Sequence, residues 1–86
     1  IGEDMALIHS EVSEALEDHR NGHAPTHVWY EPKQPIDKPC GIPSEMADVV
    51  IRVAHFCAKH GIDLDKAVAE KMEYNATRPY KHGKVM

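Results

Sequence analysis

The chain has 86 residues, of which 42% are apolar and 28% charged, and its formal net charge is −4. This composition excludes a disordered tail and predicts a single domain over residues 1–86, and the acidic balance argues against a nucleic-acid partner. No apolar run approaches the roughly 20 residues that a membrane span needs, and no signal peptide opens the chain. We therefore expect a soluble cytoplasmic domain with no membrane partner. Its first residue is Ile1 rather than Met, which is consistent with a longer native N-terminus.

The first predicted element is a helix over residues 3–20, which contain neither Gly nor Pro. Its apolar side chains recur at helical spacing and form one stripe, made of Met5, Ile8, Val12, Ala15 and Leu16. Asn21-Gly22 is a stop signal for this helix. Residues 22–43 hold five prolines and predict a loop, with Trp29 and Tyr30 in its middle.

Residues 44–60 predict a second helix, with Pro43-Ser44 as its N-terminal cap and Gly61 as its stop. On a helical wheel its apolar residues cover well over half of the circumference. Its polar side chains lie in one narrow sector, which holds Glu45, Asp48, Arg52, His55 and Lys59. A helix so widely apolar must be buried on more than one side. We therefore expect a homodimer or homotetramer that buries this helix.

The third predicted helix covers residues 63–76, with Asp63 as its N-cap. Pro79 prevents much continuation, and the tail, residues 77–86, is basic in an otherwise acidic chain. No alternating apolar run argues for a strand. The predicted class is thus all-α, a helical bundle completed by oligomerisation.

Two pairs of acidic residues share a helical face because each pair is three positions apart: Glu11 with Glu14, and Glu45 with Asp48. Like charges so close repel each other unless a cation lies between them. Four carboxylates from two antiparallel helices offer the hard oxygen ligands that suit Mg²⁺ or Mn²⁺.

A solvated face is the alternative for the first pair, and an ion pair with Arg52 or Lys59 is the alternative for the second. Glu11 borders the apolar stripe, so it should face inward, whereas Glu17 and Asp18 are expected to be solvated.

Three residues with basic or amide side chains share one face of the third predicted helix and its continuation. They are Lys71, Asn75 and Arg78, at positions i, i+4 and i+7. Such a face suits the phosphates of a metal-bound polyphosphate. The alternative is a solvated lysine and a frayed tail. The chain has no GxxxxGK[ST] or GxGxxG motif, so any nucleotide chemistry must use a metal and carboxylates.

Three histidines spaced by four, His19, His23 and His27, would offer zinc-like geometry on a continuous helix. Gly22 and Pro25 interrupt that helix, so we do not expect a metal site of these three residues.

The pattern Glu11-x-x-Glu14, a loop, then Glu45-x-x-Asp48 resembles the metal-binding signature of the MazG-like, all-α nucleoside triphosphate pyrophosphohydrolases. ALIHSEVSEALE, from Ala6, is similar to the family's first metal helix. EMADVVIRVAHFCAKHGIDLDKAV, from Glu45, is similar to its second metal helix and the following turn. KMEYNATRPYKHGK, from Lys71, is similar to the C-terminal segment of one branch. The resemblance covers about residues 6–21 and 44–84.

The resemblance implies hydrolysis of a (deoxy)nucleoside triphosphate to the monophosphate and pyrophosphate, in nucleotide-pool housecleaning. It implies that Mg²⁺, with Mn²⁺ as the alternative ion, is coordinated by Glu11, Glu14, Glu45 and Asp48. A carboxylate of the first helix, Glu11 or Glu14, would orient or deprotonate the attacking water. The candidate contacts to phosphate or sugar are Lys71, Asn75, Arg78 and Lys81.

Trp29 or Tyr30 is a candidate to stack on the base, with packing or an interface as the alternative. The other functions to weigh are a non-catalytic helical oligomerisation module that binds nucleotide or metal, and a metal-dependent hydrolase of other phosphates.

Overall fold

The structure is a computed structural model that describes residues 1–78 and is mostly helical. Its three helices are α1 (Gly2–Arg20), α2 (Ile42–Lys59) and α3 (Leu64–Thr77). The predicted helical class is confirmed in this coarse sense. The chain forms two compact units, one of residues 1–56 and one from Cys57 onward. The first unit holds α1 and most of α2, and the second holds α3.

A small antiparallel sheet interrupts the segment that the sequence predicts as loop. Its strands are β1 (Trp29–Glu31) and β2 (Lys38–Cys40), paired as Trp29↔Cys40, Tyr30↔Pro39 and Glu31↔Lys38. The prediction of an uninterrupted loop over 22–43 is therefore wrong. Three-residue strands are too short to show alternation, and Pro39 is tolerated because both strands of a two-stranded sheet are edges.

α1 ends at the predicted stop signal, in a hydrogen-bond pattern typical of a C-terminal glycine. Gly22 has a φ of +87°, in the left-handed region that favours glycine. The backbone N–H of Gly22 donates to the carbonyl of His19 at 3.0 Å, and the N–H of His23 donates to the carbonyl of Asp18 at 3.1 Å. These two bonds define a Schellman motif and fix the path of the chain as it leaves the helix.

α2 begins two residues before the predicted position. Ile42 is its first residue, and Pro43 stands in the first turn, where its missing N–H leaves no helical bond unmade. Ser44 lies inside the helix, and its hydroxyl donates to the carbonyl of Pro39 at 3.1 Å. The expectation that Pro43-Ser44 forms the cap is therefore wrong, because the helix already accepts a bond at Gly41, from the N–H of Glu45.

The turn between α2 and α3 follows the sequence signals. Gly61 has a φ of +69°, and the N–H of Ile62 donates to the carbonyl of Cys57 at 2.8 Å, as in a second Schellman motif. Asp63 caps α3, since its side chain accepts from the backbone N–H of Lys66. Both predictions, the stop at Gly61 and the cap at Asp63, are confirmed.

The buried apolar core of the described residues is small. The buried apolar residues are Ala15 and Cys40 in the first unit and Cys57 in the second. Large apolar side chains are exposed on all three helices, among them Met5, Val12, Leu16, Val50, Ile51, Val68 and Met72. Apolar helix faces of this kind are normally covered in a folded protein. Within residues 1–78, none of the helices combines the length and apolar character needed to cross a membrane.

Candidate metal centre

Three carboxylates from two helices converge in the first compact unit. Glu11 and Glu14 of α1 and Glu45 of α2 each place one oxygen so that all three lie within 4.8 Å of one another. We call these three residues the acidic group. Glu11 is buried, Glu45 is half-buried and Glu14 is exposed. The group therefore has a buried side and an open side.

Arg52 supplies the positive charge on the buried side of the acidic group. Its Nε donates to Oε2 of Glu11 at 2.8 Å, and the Glu11 side chain is only 10% exposed. This hydrogen bond holds the pKa of Glu11 below its usual value, against the opposing effect of burial. The sequence left open a pairing of Arg52 with the acids of its own helix. The guanidinium instead bonds Glu11, on α1.

Glu45 is the member of the group whose ionisation is most disfavoured. Burial, followed by a hydrogen bond with Glu11 and the negative charge of Glu14, raises the pKa of Glu45 to about 7. Besides burial, the neighbouring carboxylates Glu11, Glu14 and Asp18 all act in this direction. A divalent cation would remove this repulsion.

The sequence predicts a solvated Asp18, and this prediction is wrong. Asp18 is half-buried, and its Oδ2 is buried without a hydrogen-bond partner among the described residues. Its charge also contributes to the raised pKa of Glu45. The signal was available, because Asp18 stands seven positions after Glu11, on the same face of α1. Glu17 is exposed, as expected, and lies 3.9 Å from Arg20.

Asp48, the fourth predicted metal ligand, is not brought into the acidic group. It is exposed on α2, and no oxygen of Asp48 belongs to the set that lies within 4.8 Å. One helical turn separates it from Glu45. Its chemistry suits a ligand, but the described structure leaves it at the surface.

Of the predicted phosphate contacts, Lys71 and Asn75 lie on α3 in the second unit, Arg78 is the C-cap of this helix, and all three are exposed. The ammonium group of Lys71 is 5.4 Å from the centroid of the Tyr74 ring, and the guanidinium of Arg78 is 5.5 Å from it. Both distances are within the range of cation–π contacts. The expected helical face therefore brings Lys71 and Arg78 to one aromatic ring, with Asn75 next to it in sequence. Lys81 lies outside the described residues.

Trp29, the predicted base-stacking residue, is half-buried at the start of β1. Its ring is stacked on His23, with 4.3 Å between the ring centroids, and lies 5.2 Å from the ring of His27. These contacts are those of an aromatic side chain packed within its own chain, which was the alternative to base stacking.

The donor set of the acidic group fits a hard divalent cation. Carboxylate oxygens are the ligands that Mg²⁺ and Mn²⁺ prefer, and Mg²⁺ commonly uses few protein ligands together with water and phosphate oxygens. The exposed position of Glu14 leaves an open side for such additional ligands. Comparisons with protein-family models, curated proteins and solved structures found no match for this chain. The function is therefore inferred from its own residues.

Proposed function

We propose that this protein hydrolyses nucleoside or deoxynucleoside triphosphates between the α- and β-phosphates, with Mg²⁺ as cofactor and Mn²⁺ as a possible replacement. The main support is the convergence of Glu11, Glu14 and Glu45 within 4.8 Å. These are three of the four acids of the motif that resembles the MazG-like family, and they come from two different helices. Membership of that family, with its helical-bundle fold and its housecleaning role in the cytoplasm, belongs to the same proposal.

Each member of the acidic group has a distinct proposed role. Glu11 and Glu45 hold the cation from the buried side, where Arg52 keeps Glu11 ionised. Glu14 orients or deprotonates the attacking water, because it is the exposed member and, among the described residues, forms no ion pair with an arginine of the kind that weakens Glu11 as a base. When bound, Mg²⁺ orients the triphosphate and lowers the pKa of a coordinated water.

The basic residues of α3 and of its C-cap are proposed to bind the phosphates or the sugar. Lys71 and Arg78 carry charges suited to phosphate oxygens, and Asn75 of α3 adds an amide. Lys81 is part of the same proposal. To bind the base, the Trp29 ring would have to leave His23, on which it stacks.

Exposed apolar residues support the proposal of a homodimer or homotetramer. On α2, Val50 is 67% exposed and Ile51 is 59% exposed. Both residues belong to the helix whose wide apolar surface predicts burial on more than one side. Association of copies through α2 would cover these side chains.

The first test is pyrophosphate release from a panel of nucleoside and deoxynucleoside triphosphates, with and without Mg²⁺. We expect Mg²⁺-dependent release from the wild type and its loss in Glu45→Gln. Glu70→Gln is the matched control, because it removes an exposed acid of α3 outside the acidic group and should keep full activity.

The alternative function is a non-catalytic helical module that binds nucleotide or metal. The observation in its favour is Arg52, which already neutralises part of the acidic group and so lowers the need for a strongly bound cation. Calorimetric binding of Mg²⁺ or nucleotide, without release of pyrophosphate from any substrate, would replace the hydrolase proposal with this one.

A further inference from the structure

A second cluster of possible metal ligands lies outside the acidic group, in the segment that follows α1. The Nδ1 atoms of His23 and His27 lie 3.4 Å apart and share a hydrogen bond in which the tautomer decides which ring donates. Their ring centroids are 5.4 Å apart, and Trp29 stacks on one ring and lies beside the other. His23 is half-buried and His27 is exposed. We call these two residues the histidine pair.

The backbone on both sides of the histidine pair is fixed by hydrogen bonds. His23 is the last residue of the Schellman motif that ends α1, through its N–H bond to Asp18. The N–H of His27 donates to the carbonyl of Ala24 at 3.0 Å, which closes a turn that has Pro25 at its second position. The two imidazoles are therefore brought together by two successive turns.

Gly41 holds the same turn from the other side. It is buried and has a φ of +115°, and a Cβ atom at this position would collide with the carbonyl oxygen of His27. The His27 backbone thus lies directly against the residue that precedes α2. The backbone that carries the pair is therefore held against the folded part of the first unit without any ligand.

The separation of the two nitrogens matches the spacing of two ligands on one metal ion. Two metal–nitrogen bonds of the zinc type at a tetrahedral angle place the nitrogens about 3.3 Å apart. Imidazole is a preferred ligand of Cu²⁺, Ni²⁺ and Zn²⁺ and a poor ligand of Mg²⁺. The spacing and the ligand type therefore both favour a transition-metal ion.

We propose that the histidine pair binds one divalent transition-metal ion through Nδ1 of His23 and Nδ1 of His27. On binding, the imidazole that carries its proton on Nδ1 transfers it through water to Nε2, so that both Nδ1 lone pairs face the ion. The remaining coordination positions are taken by water. This site is independent of the acidic group and of the proposed hydrolysis.

The only tryptophan of the chain reports on this site directly. Cu²⁺ and Ni²⁺ quench a nearby indole, whereas Zn²⁺, with its filled d shell, should instead compete with them. We expect untagged wild-type protein in excess Mg²⁺ to show saturable quenching of Trp29 with one ion per chain. Cu²⁺ should bind more tightly than Ni²⁺. Equilibrium dialysis with Ni²⁺ gives the stoichiometry independently of the fluorescence.

Three variants decide the assignment. Loss of a residue that only hydrogen-bonds to a metal ligand weakens metal binding about 10- to 100-fold. Loss of a ligand itself should cost no less, so His23→Ala and His27→Asn should each weaken binding by at least about tenfold. His27 is exposed, so its variant should fold normally, and circular dichroism checks this. His19→Ala is the matched control and should bind as the wild type does. Unchanged affinity in either pair variant, an equal loss in His19→Ala, or no binding by the wild type would overturn the proposal.

Discussion

The acidic group and the histidine pair both contain two residues of one type three or four positions apart. In the acidic group these two residues lie within a helix, whereas the histidine pair lies after a helix has ended. Glu11 and Glu14 stand three apart inside a helix, where that spacing places them on one face. His23 and His27 stand four apart after the helix has ended, and two turns bring them together. The comparison teaches that spacing is informative only when the backbone conformation is known. Helical spacing correctly brought Glu11 and Glu14 to one site, whereas His23 and His27 come together although Gly22 and Pro25 interrupt the helix.

The largest expected effect is the loss of kcat when Glu14, the exposed member of the acidic group, is replaced. Glu14→Gln should lower kcat for pyrophosphate release by about 10³-fold, the range for loss of a general base, while Mg²⁺ still binds. Asp48→Asn should cost about tenfold or less, because Asp48 lies outside the group. Rates at saturating Mg²⁺ measure both. An equal loss in the two variants would mean that Asp48 joins the site and that Glu14 has no special role.

The next largest effect is a loss of stability when Gly41, which lies against the backbone of His27, is replaced. Gly41→Ala should destabilise the protein by about 2–4 kcal/mol, because the new Cβ meets the His27 carbonyl and the positive φ is strained. Gly61→Ala is the control, with a positive φ but open space around it, and should cost about 1 kcal/mol. Urea denaturation gives both values. Equal costs would show that the contact between Gly41 and His27 is unimportant.

The third prediction concerns how much the ion pair between Arg52 of α2 and Glu11 of α1 stabilises the protein. Arg52→Met should destabilise the ion-free protein by about 2 kcal/mol, because it leaves the buried Glu11 carboxylate without its partner. Arg20→Met removes an exposed arginine whose nearest carboxylate, that of Glu17, is also exposed, and should change stability by less than about 0.5 kcal/mol. The difference between these two variants, measured by denaturation in EDTA, isolates the buried pair.

The smallest effect is a pH dependence that originates at Glu45. Its pKa of about 7 lies above the usual 4.5, so its contribution favours the folded state below pH 4.5 and is lost as the pH rises through 7. Without divalent ions, the wild type should lose about 1–2 kcal/mol relative to Glu45→Gln between pH 5 and pH 8, a value reduced for the partial exposure of Glu45. Denaturation at the two pH values measures this. Parallel curves would contradict the raised pKa.

Local signals predicted much of the backbone. Asn21-Gly22 and Gly61 end their helices in Schellman motifs, and Asp63 caps α3, because these effects act within a few residues. The start of α2 was placed two residues late, since the Ser44 hydroxyl bonds a carbonyl of the preceding strand instead of the helix N-terminus. The sequence does not predict the hairpin, because strands of three residues are defined by their hydrogen bonds to each other and not by a local pattern.

For the candidate site, the sequence by itself determined which acids share a helical face and that Glu11 points inward. Helix geometry makes such relations a matter of spacing. Only the tertiary structure decided that Arg52 pairs with Glu11, that Asp18 has a buried oxygen, and that Asp48 remains at the surface. The physical reason is that charges interact through space with whichever groups the folded backbone brings near. Residues on different helices meet only when both helices are in place.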